Sequence, residues 1–253
     1  FNESLLKGNP AAVVLVNENI FNNKKLLQKI AKKINLSESA FVLKIKNKFK
    51  IKWFSPVLEV DYCGHATIAA AAVIKSLNNI KNIKIESSKH IFELKIMKNN
   101  IEIQLPLFTC LNLDKNDFIF SELKDFKILG FSKSNLDLIL EIDSLKNLIN
   151  FKVDNEKLLN SDKRGLIVTF KNEDNIYYRF FCPKLGYDED PATGSALSTL
   201  YPYFFSDNLN VKNIDFIQLS KRGGYSKFLY SKKNKLIFST IHSKIFKNTI
   251  LID

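Results

Sequence analysis

Apolar and polar residues along this chain alternate between a period of two and a helical period, and the second half rebuilds the order of the first. Ala11 to Val16 is a short apolar strand behind Gly8-Asn9-Pro10. From Asn23 to Ile34, the residues Leu26, Ile30 and Ile34 share one face with Leu27 and Ala31, which predicts a helix. Ala40 to Lys46 and Lys48 to Phe54 predict a hairpin about Asn47, with Phe49, Ile51 and Trp53 alternating inward. A glycine turn and a helix from Ala66 come next. Ile83 to Glu86, Ile91 to Met97 and Ile101 to Leu105 are further strands, the last two joined at Asn99-Asn100.

Periodicity fades from Pro106 to about Asp125, which marks the expected boundary. Beyond it, Leu136 to Ile142 is a strand and Leu145 to Ile149 a short helix or turn. Gly165 to Phe170 and Ile176 to Phe181 predict a hairpin about Glu173-Asp174-Asn175. A second glycine turn leads into a helix from Ala196, which Pro202 should kink or end because it removes a backbone donor. Ile214 to Leu219, Lys227 to Tyr230 and Leu236 to Ile241 close the half as strands. The expected partition is residues 1–106 and 107–253, with the last strand able to pack back on the first half. Many strands around one or two central helices per half imply an α+β protein with a pseudo-two-fold axis.

The doubled glycine turn is the sharpest signal. One copy runs Phe54-Ser55-Pro56 to Tyr62-Cys63-Gly64-His65-Ala66-Thr67, the other Phe181-Cys182-Pro183 to Asp190-Pro191-Ala192-Thr193-Gly194-Ser195-Ala196. Each follows a β-rich run ending in Phe-x-Pro, passes acidic residues and a glycine, and opens a helix on small residues. Two helix starts facing one cleft would offer backbone N–H groups and positive dipole ends to a small anion. The expected ligand is therefore a small carboxylate.

Composition narrows the class. The chain has 253 residues, 45% of them hydrophobic, enough for a proper core. No apolar run reaches the roughly 20 residues of a membrane span, and no secretory leader is visible. The chain opens at Phe1 inside an apparent strand, which reads as a truncated start. Cys63, Cys110 and Cys182 form an odd set without CxxC spacing. That argues against a disulfide framework or a structural zinc and for a reducing, cytoplasmic location. The net charge of +12 invites a nucleic-acid reading. The lysines are spread among Asn, Ile and Phe, however, and the run Lys44, Lys46, Lys48, Lys50, Lys52 reads as the solvated face of a hairpin. No specific nucleic-acid partner, membrane, metal or cofactor is expected, and a homodimer is the default assembly.

The candidate chemistry lies at the turns. Gly64 and Gly194 allow close backbone approach to a ligand, and Ala66, Thr67 and Ala196 follow in the helix openings. His65 stands where the chain turns; Ser195 can donate a hydroxyl or simply cap a helix. Asp188, Glu189 and Asp190 crowd together, a pattern that can raise one pKa. Glu38 lies in Asn35-Leu36-Ser37-Glu38-Ser39-Ala40-Phe41, between a helix end and an apolar strand, where desolvation would lift its pKa. Cys63-Gly64 could activate a thiol. A two-thiol racemase would need a second Cys-Gly, and the other turn has Thr193-Gly194.

At these residues the chain resembles the PhzF-like, phenazine biosynthesis-like family within the diaminopimelate epimerase fold. The matching segments are Gly8–Val13, Asn35–Phe41, Cys63–Thr67, Glu189–Ala196 and Gln218–Gly224, in family order. The resemblance implies two domains, each a β-barrel-like sheet around a central helix, and cofactor-independent proton transfer in the cleft between them. It implies Glu38 as the acid/base, with His65, Asp190 and Ser195 holding and polarising the substrate. Gly64 and Gly194 would make close backbone contacts. Leu197 stands where many members have histidine, which leaves the substrate open. The leading expectation is an isomerase moving a proton on a small carboxylate. The alternatives are an amino-acid racemase or epimerase, a non-catalytic small-ligand or scaffold protein of the same fold, and a basic nucleic-acid binder.

Overall fold

A computed structural model describes residues 7–78, 80–97, 100–114, 126–206, 214–232 and 235–241. The chain divides into two compact units. One comprises Pro10–Gln104 with Ser239–Asp253, the other Phe1–Asn9 with Leu105–Phe238. The turn expected at Asn99, part of the expected boundary segment (115–125) and the chain beyond 241 lie outside the described residues.

The first unit opens with β1 (Ala11–Val16), the short helix α1 (Glu18–Asn22) and α2 (Lys24–Ile34). Asn17 caps α1 and Asn23 caps α2 through side-chain acceptors, and Asn35 closes α2 in the left-handed region at φ 54°. Helix α2 is the helix expected from Asn23 to Ile34, and α1 precedes it without a periodic signal of its own. Then come β2 (Glu38–Ile45), β3 (Lys48–Phe54), β4 (Glu59–Val60), α3 (Gly64–Asn78), β5 (Asn82–Glu86), β6 (Ile91–Ile96) and β7 (Asn100–Pro106). Strand order is β1-β2-β3-β5-β6-β7, with β4 on β3. Helix α3 packs on β1, β2 and β6, strands from nearly opposite ends of this order, so the sheet curves around it. The helix can be enclosed because Ala66, Ala70, Ala71 and Ala72 keep it thin. On the other face of β2 and β3, Leu27, Ile30 and Ala31 of α2 cover Phe41 and Phe54.

The lysine run is exposed at Lys44, Lys46, Lys48 and Lys50. Lys52 departs from it: its ammonium donates to the Phe21 carbonyl at 2.8 Å and sits 4.4 Å over the Phe21 ring. Burial there lowers its pKa.

The second unit holds β8 (Leu111–Asn112), β9 (Ile128–Lys133), β10 (Asp137–Ile142), α4 (Leu145–Asn150) and α5 (Asn155–Asn160). These precede β11 (Gly165–Lys171), β12 (Asn175–Phe181), α6 (Leu197–Phe205), β13 (Asp215–Gln218) and β14 (Gly224–Lys232). Strand order is β14-β13-β12-β11-β10-β9-β8. Strand β9 and helix α5 lack a clear periodic signature in the sequence. In β15 (Lys235–Ile241) the chain leaves this unit after Phe238. Around α6, the Tyr201 and Phe228 rings lie 4.1 Å apart and the Tyr203 hydroxyl donates to Glu141 at 2.9 Å. Its sheet thus touches the helix from β14 and from β10. Pro202 does not end α6. Its missing N–H leaves the Ser198 carbonyl without its helical donor, and the Phe108 N–H fills that role at 3.0 Å.

The repeat inferred from the sequence is written in the strand pairing. β1 pairs β2 parallel, β2 pairs β3 antiparallel and β3 pairs β5 parallel. β10 pairs β11 parallel, β11 pairs β12 antiparallel and β12 pairs β13 parallel. Register makes the match residue by residue: Ala11 faces Glu38 and Ser39 faces Phe54, while Asp137 faces Gly165 and Leu166 faces Phe181. Glu38 therefore has Gly165 as its structural counterpart. A Cβ on Gly165 would collide with the Phe181 carbonyl oxygen and lie 2.9 Å from the Phe180 ring, so no side chain fits there. Gly165→Ala should destabilise the protein by about 2 kcal/mol or more, read from the midpoint of urea unfolding.

Candidate active site

Glu38 begins β2, and the parallel pairing with Ala11 holds it inside, 4% exposed. His65 is the second residue of α3, inside the helix rather than in the turn before it. Its Nε2 lies 3.3 Å from Glu38 Oε2, and its Nδ1 lies 3.5 Å from Cys63 Sγ. One imidazole thus bridges a carboxyl and a thiol. In the neutral ring, one nitrogen donates while the other accepts. Gly64 and Ala66 are buried at the helix opening, where the first N–H groups have no intrahelical acceptor. Thr67 is committed to structure: its hydroxyl donates to the Cys63 carbonyl at 2.6 Å. Cys63 and Cys182 are buried and form no disulfide.

The carboxyl, thiol and imidazole offer one ligand atom each within 4.8 Å of one another, a set that could hold a divalent cation. Glu38 and Cys63 meet opposite ring nitrogens, however. A cation taken by one nitrogen would displace the contact on that side.

In the second unit, the acidic trio separates. Asp188 is exposed, and Glu189 is held by Arg179 through two contacts of 2.8 Å. Only Asp190 is buried. The three carboxylates do not share a site, because Arg179 draws Glu189 to its own fork. Asp190 Oδ1 accepts from Asn9 Nδ2 at 2.7 Å, and Oδ2 accepts from the Thr193 hydroxyl. Gln218 spans the turn: its Nε2 donates to the Asp190 carbonyl at 2.6 Å and its Oε1 accepts from the Thr193 N–H at 2.5 Å. The Ser220 hydroxyl donates to the Pro191 carbonyl, and a Cβ on Gly224 would lie 2.7 Å from the Ala192 Cβ. The Gln218–Gly224 segment is thus the clamp of the Asp190–Thr193 turn. Tyr178 donates to the Thr193 carbonyl at 3.3 Å, and burial, then the Asp190 charge, drive its phenol above the ordinary range.

Gly194–Ala196 form one 3₁₀ turn that runs into α6. The Ala196 N–H is spent on the Thr193 carbonyl at 3.3 Å. Ser195 is buried, and its Oγ accepts from Arg164 Nη1 at 2.9 Å. The structure thus gathers Glu38, Gly64, His65, Ala66 and Thr67 in one unit and Asp190, Gly194, Ser195 and Ala196 in the other. Sequence reading gave no role to Asn9, Asp137, Arg164, Thr193 or Gln218. A signal did exist for Arg164: only Arg164, Arg179 and Arg222 are arginine among 38 basic residues. Each uses the planar fork that lysine lacks, Arg222 by donating to the Gly8 and Lys7 carbonyls.

Strands curved around a buried helix in each unit, each helix entered through a glycine turn, define an α+β protein of the diaminopimelate epimerase-like class. The profile of the family described as phenazine biosynthesis-like protein (PhzC-PhzF) matches residues 1–235, and the chain belongs to that family. The phenazine biosynthesis-like domain-containing protein of Homo sapiens is 33% identical over 260 residues, covering 88% of this chain and 87% of that protein. A protein named as an uncharacterized isomerase in Halalkalibacterium halodurans is 33% identical over 240 residues, covering 90% and 87%. The crystal structure of a PhzF-family phenazine biosynthesis protein from Enterococcus faecalis has a TM-score of 0.79 at 29% identity, over 95% and 92% of the chains. A hydroxyproline epimerase from Agrobacterium vitis has a TM-score of 0.55 at 7% identity, over 87% and 78%, a likeness of fold alone.

The clamp generates a direct expectation. Gln218→Leu strands a buried carbonyl and a buried N–H, each worth about 1–3 kcal/mol. The variant should lose roughly 2–6 kcal/mol of stability by urea unfolding.

Proposed function

We propose that this protein is a cofactor-independent isomerase in which Glu38 moves a proton on a small substrate bearing a carboxylate. The observation that carries the reading is the asymmetry of the repeat. Glu38 is buried against His65, while its counterpart is Gly165, where no side chain fits. A racemase that works with two bases needs an acid/base group from each half. This chain offers one carboxyl at the start of a second strand and nothing at the matching place.

The chemistry proposed is a shuttle. The Glu38 carboxylate takes a proton from one carbon of the substrate, the electron pair shifts along the conjugated system, and the resulting carboxylic acid returns the proton at another carbon. Glu38 ends as it began, so no net oxidation occurs and no co-reactant is consumed. His65 orients the Glu38 carboxyl and can share its proton. Each glycine turn, at Gly64 and at Gly194, offers backbone N–H groups and a helix dipole to a carboxylate. Asp190, with both oxygens held by Asn9 and Thr193, serves as a fixed acceptor rather than as the mobile base. The names of curated relatives as isomerases and the epimerase-type fold agree with this reading.

The thiol route has its own observation, the 3.5 Å contact of Cys63 with His65. It lacks a second thiol at the matching turn, where Thr193 precedes Gly194.

The test is solvent-deuterium incorporation into small cyclic and amino-acid carboxylates, followed by NMR. Glu38→Gln should slow exchange by about 10²–10⁴ and leave ligand affinity nearly unchanged. A mutant that exchanges as fast as wild type would remove Glu38 from the role. Cys63→Ala should keep most of the exchange rate, and its loss by several orders of magnitude would instead favour the racemase.

A further inference from the structure

Arg164 stands immediately before β11, one residue from the glycine that replaces Glu38 in the second repeat. Each of its three guanidinium nitrogens donates to a partner. Nε donates to Asp137 Oδ1 at 2.9 Å and Nη2 to Asp137 Oδ2 at 2.6 Å, a two-pronged pairing with a carboxylate that has no solvent exposure. Nη1 donates to Ser195 Oγ at 2.9 Å. The guanidinium carbon lies 4.9 Å over the Phe180 ring, which fixes its plane from below. Burial alone would push this group down; the adjacent Asp137 carboxylate, then Cys182 and Asp190, raise it, and it stays charged.

The consequence lies in the polarity of one hydroxyl. A serine Oγ can accept and donate, and its proton rotates to suit its partners. Here a charged donor occupies the acceptor side of Ser195. The hydroxyl proton must point away from Arg164, and among the described residues no acceptor receives it. Ser195 is buried at the opening of the turn that leads into α6, beside Gly194. A buried donor left without an acceptor is costly unless a ligand supplies one.

We propose that Arg164 is a positioning residue: locked by Asp137, it fixes the Ser195 hydroxyl as a hydrogen-bond donor reserved for a carboxylate. The inference deepens the reading of a carboxylate substrate and rests on it for the class of ligand, but not for the proton transfer. Lysine cannot substitute here. An ammonium could pair with Asp137, but it has no planar fork to hold Asp137 and Ser195 together.

The test measures preference rather than turnover. Cyclohex-1-enecarboxylate and its primary amide, and proline and prolinamide, are titrated against the protein by NMR or calorimetry. Wild type should favour each acid over its amide by about tenfold or more, the ratio expected of one hydrogen bond to a charged group. Ser195→Ala and Arg164→Lys should each reduce that preference by about tenfold. The double variant should do no worse than either single, because both remove the same donor. Arg164→Lys keeps a cation beside Asp137 and is the variant expected to fold. If it does not, Asp137→Asn with Arg164→Gln removes the buried pair without stranding a charge, and should show the same loss.

An Arg164 variant that folds and keeps the wild-type preference would overturn the proposal. So would losses that multiply in the double variant, or a wild type indifferent between acid and amide. Proton exchange is read separately through Glu38→Gln. Failure of the isomerase reading would leave an acid-over-amide preference intact, and failure of the Arg164 assignment would leave the exchange assay intact.

Discussion

The parallel pairing of β1 with β2 is the constraint on which the Glu38 site rests. Parallel neighbours cannot be joined by a tight turn, so the chain must leave the sheet and return. Here it does so through α1 and α2, and α2 covers the outer face of β2 and β3 on the way. The return fixes Glu38 opposite Ala11, at the first position of a strand buried along most of its length. Side chains alternate across a sheet, so a slip of one residue would exchange Glu38 for Ser39 and turn the carboxyl to the α2 side. The contact with His65 depends on that register, because His65 enters from the other face, on α3.

The same framework is used twice with different chemistry. Both units alternate parallel, antiparallel and parallel pairings, and both enclose a helix that is apolar on every side. Enclosure restricts the helix sequence, and the two helices meet the restriction differently. Helix α3 is thin, with an alanine run; α6 carries large rings, with Tyr201 stacked near Phe228. At the matching strand start one unit carries a carboxyl and the other a glycine with an arginine before it. Pairing geometry is therefore shared by the repeats, while the side chains at the strand starts differ between them.

Buried charge in the second unit is held in pairs that also tie distant segments together. Arg164 with Asp137 links the starts of β10 and β11, and Arg179 with Glu189 links β12 to the loop beyond it. Arg179 also donates to the Leu148, Ile149 and Phe151 carbonyls at the end of α4. Such charges are expensive to bury alone, and each pair is completed by further hydrogen bonds. The Asp190 turn is treated in the same way: every group that could swing is fastened by Asn9, Gln218 or Ser220. The donors and acceptors of this turn are thus set by the fold.

The sequence by itself determined much of this protein. Local periodicity marks most strands and the helices α2, α3 and α6, because residues buried on one face must recur at the spacing of the element. The doubled Phe-x-Pro and glycine turns expose the repeat, and strand register aligns Phe54 with Phe181 as the sequence does. His65 and Ser195 stand out beside the glycine turns that open helices, while Glu38, at a strand start, and Asp190 are singled out by the family resemblance. Other features were invisible to local pattern. β9 and α5 carry weak periodicity, and Pro202 reads as a helix kink or end because the Phe108 N–H that takes the Ser198 carbonyl is remote in sequence. Asp188, Glu189 and Asp190 look alike in sequence, yet Arg179 and Asn9 send the last two to separate partners. The roles of Arg164, Asp137, Gln218 and Gly165 were decided only by tertiary structure. Each depends on a partner brought near by strand pairing, and hydrogen bonds across 25 or more residues leave no mark on the local spacing of the chain.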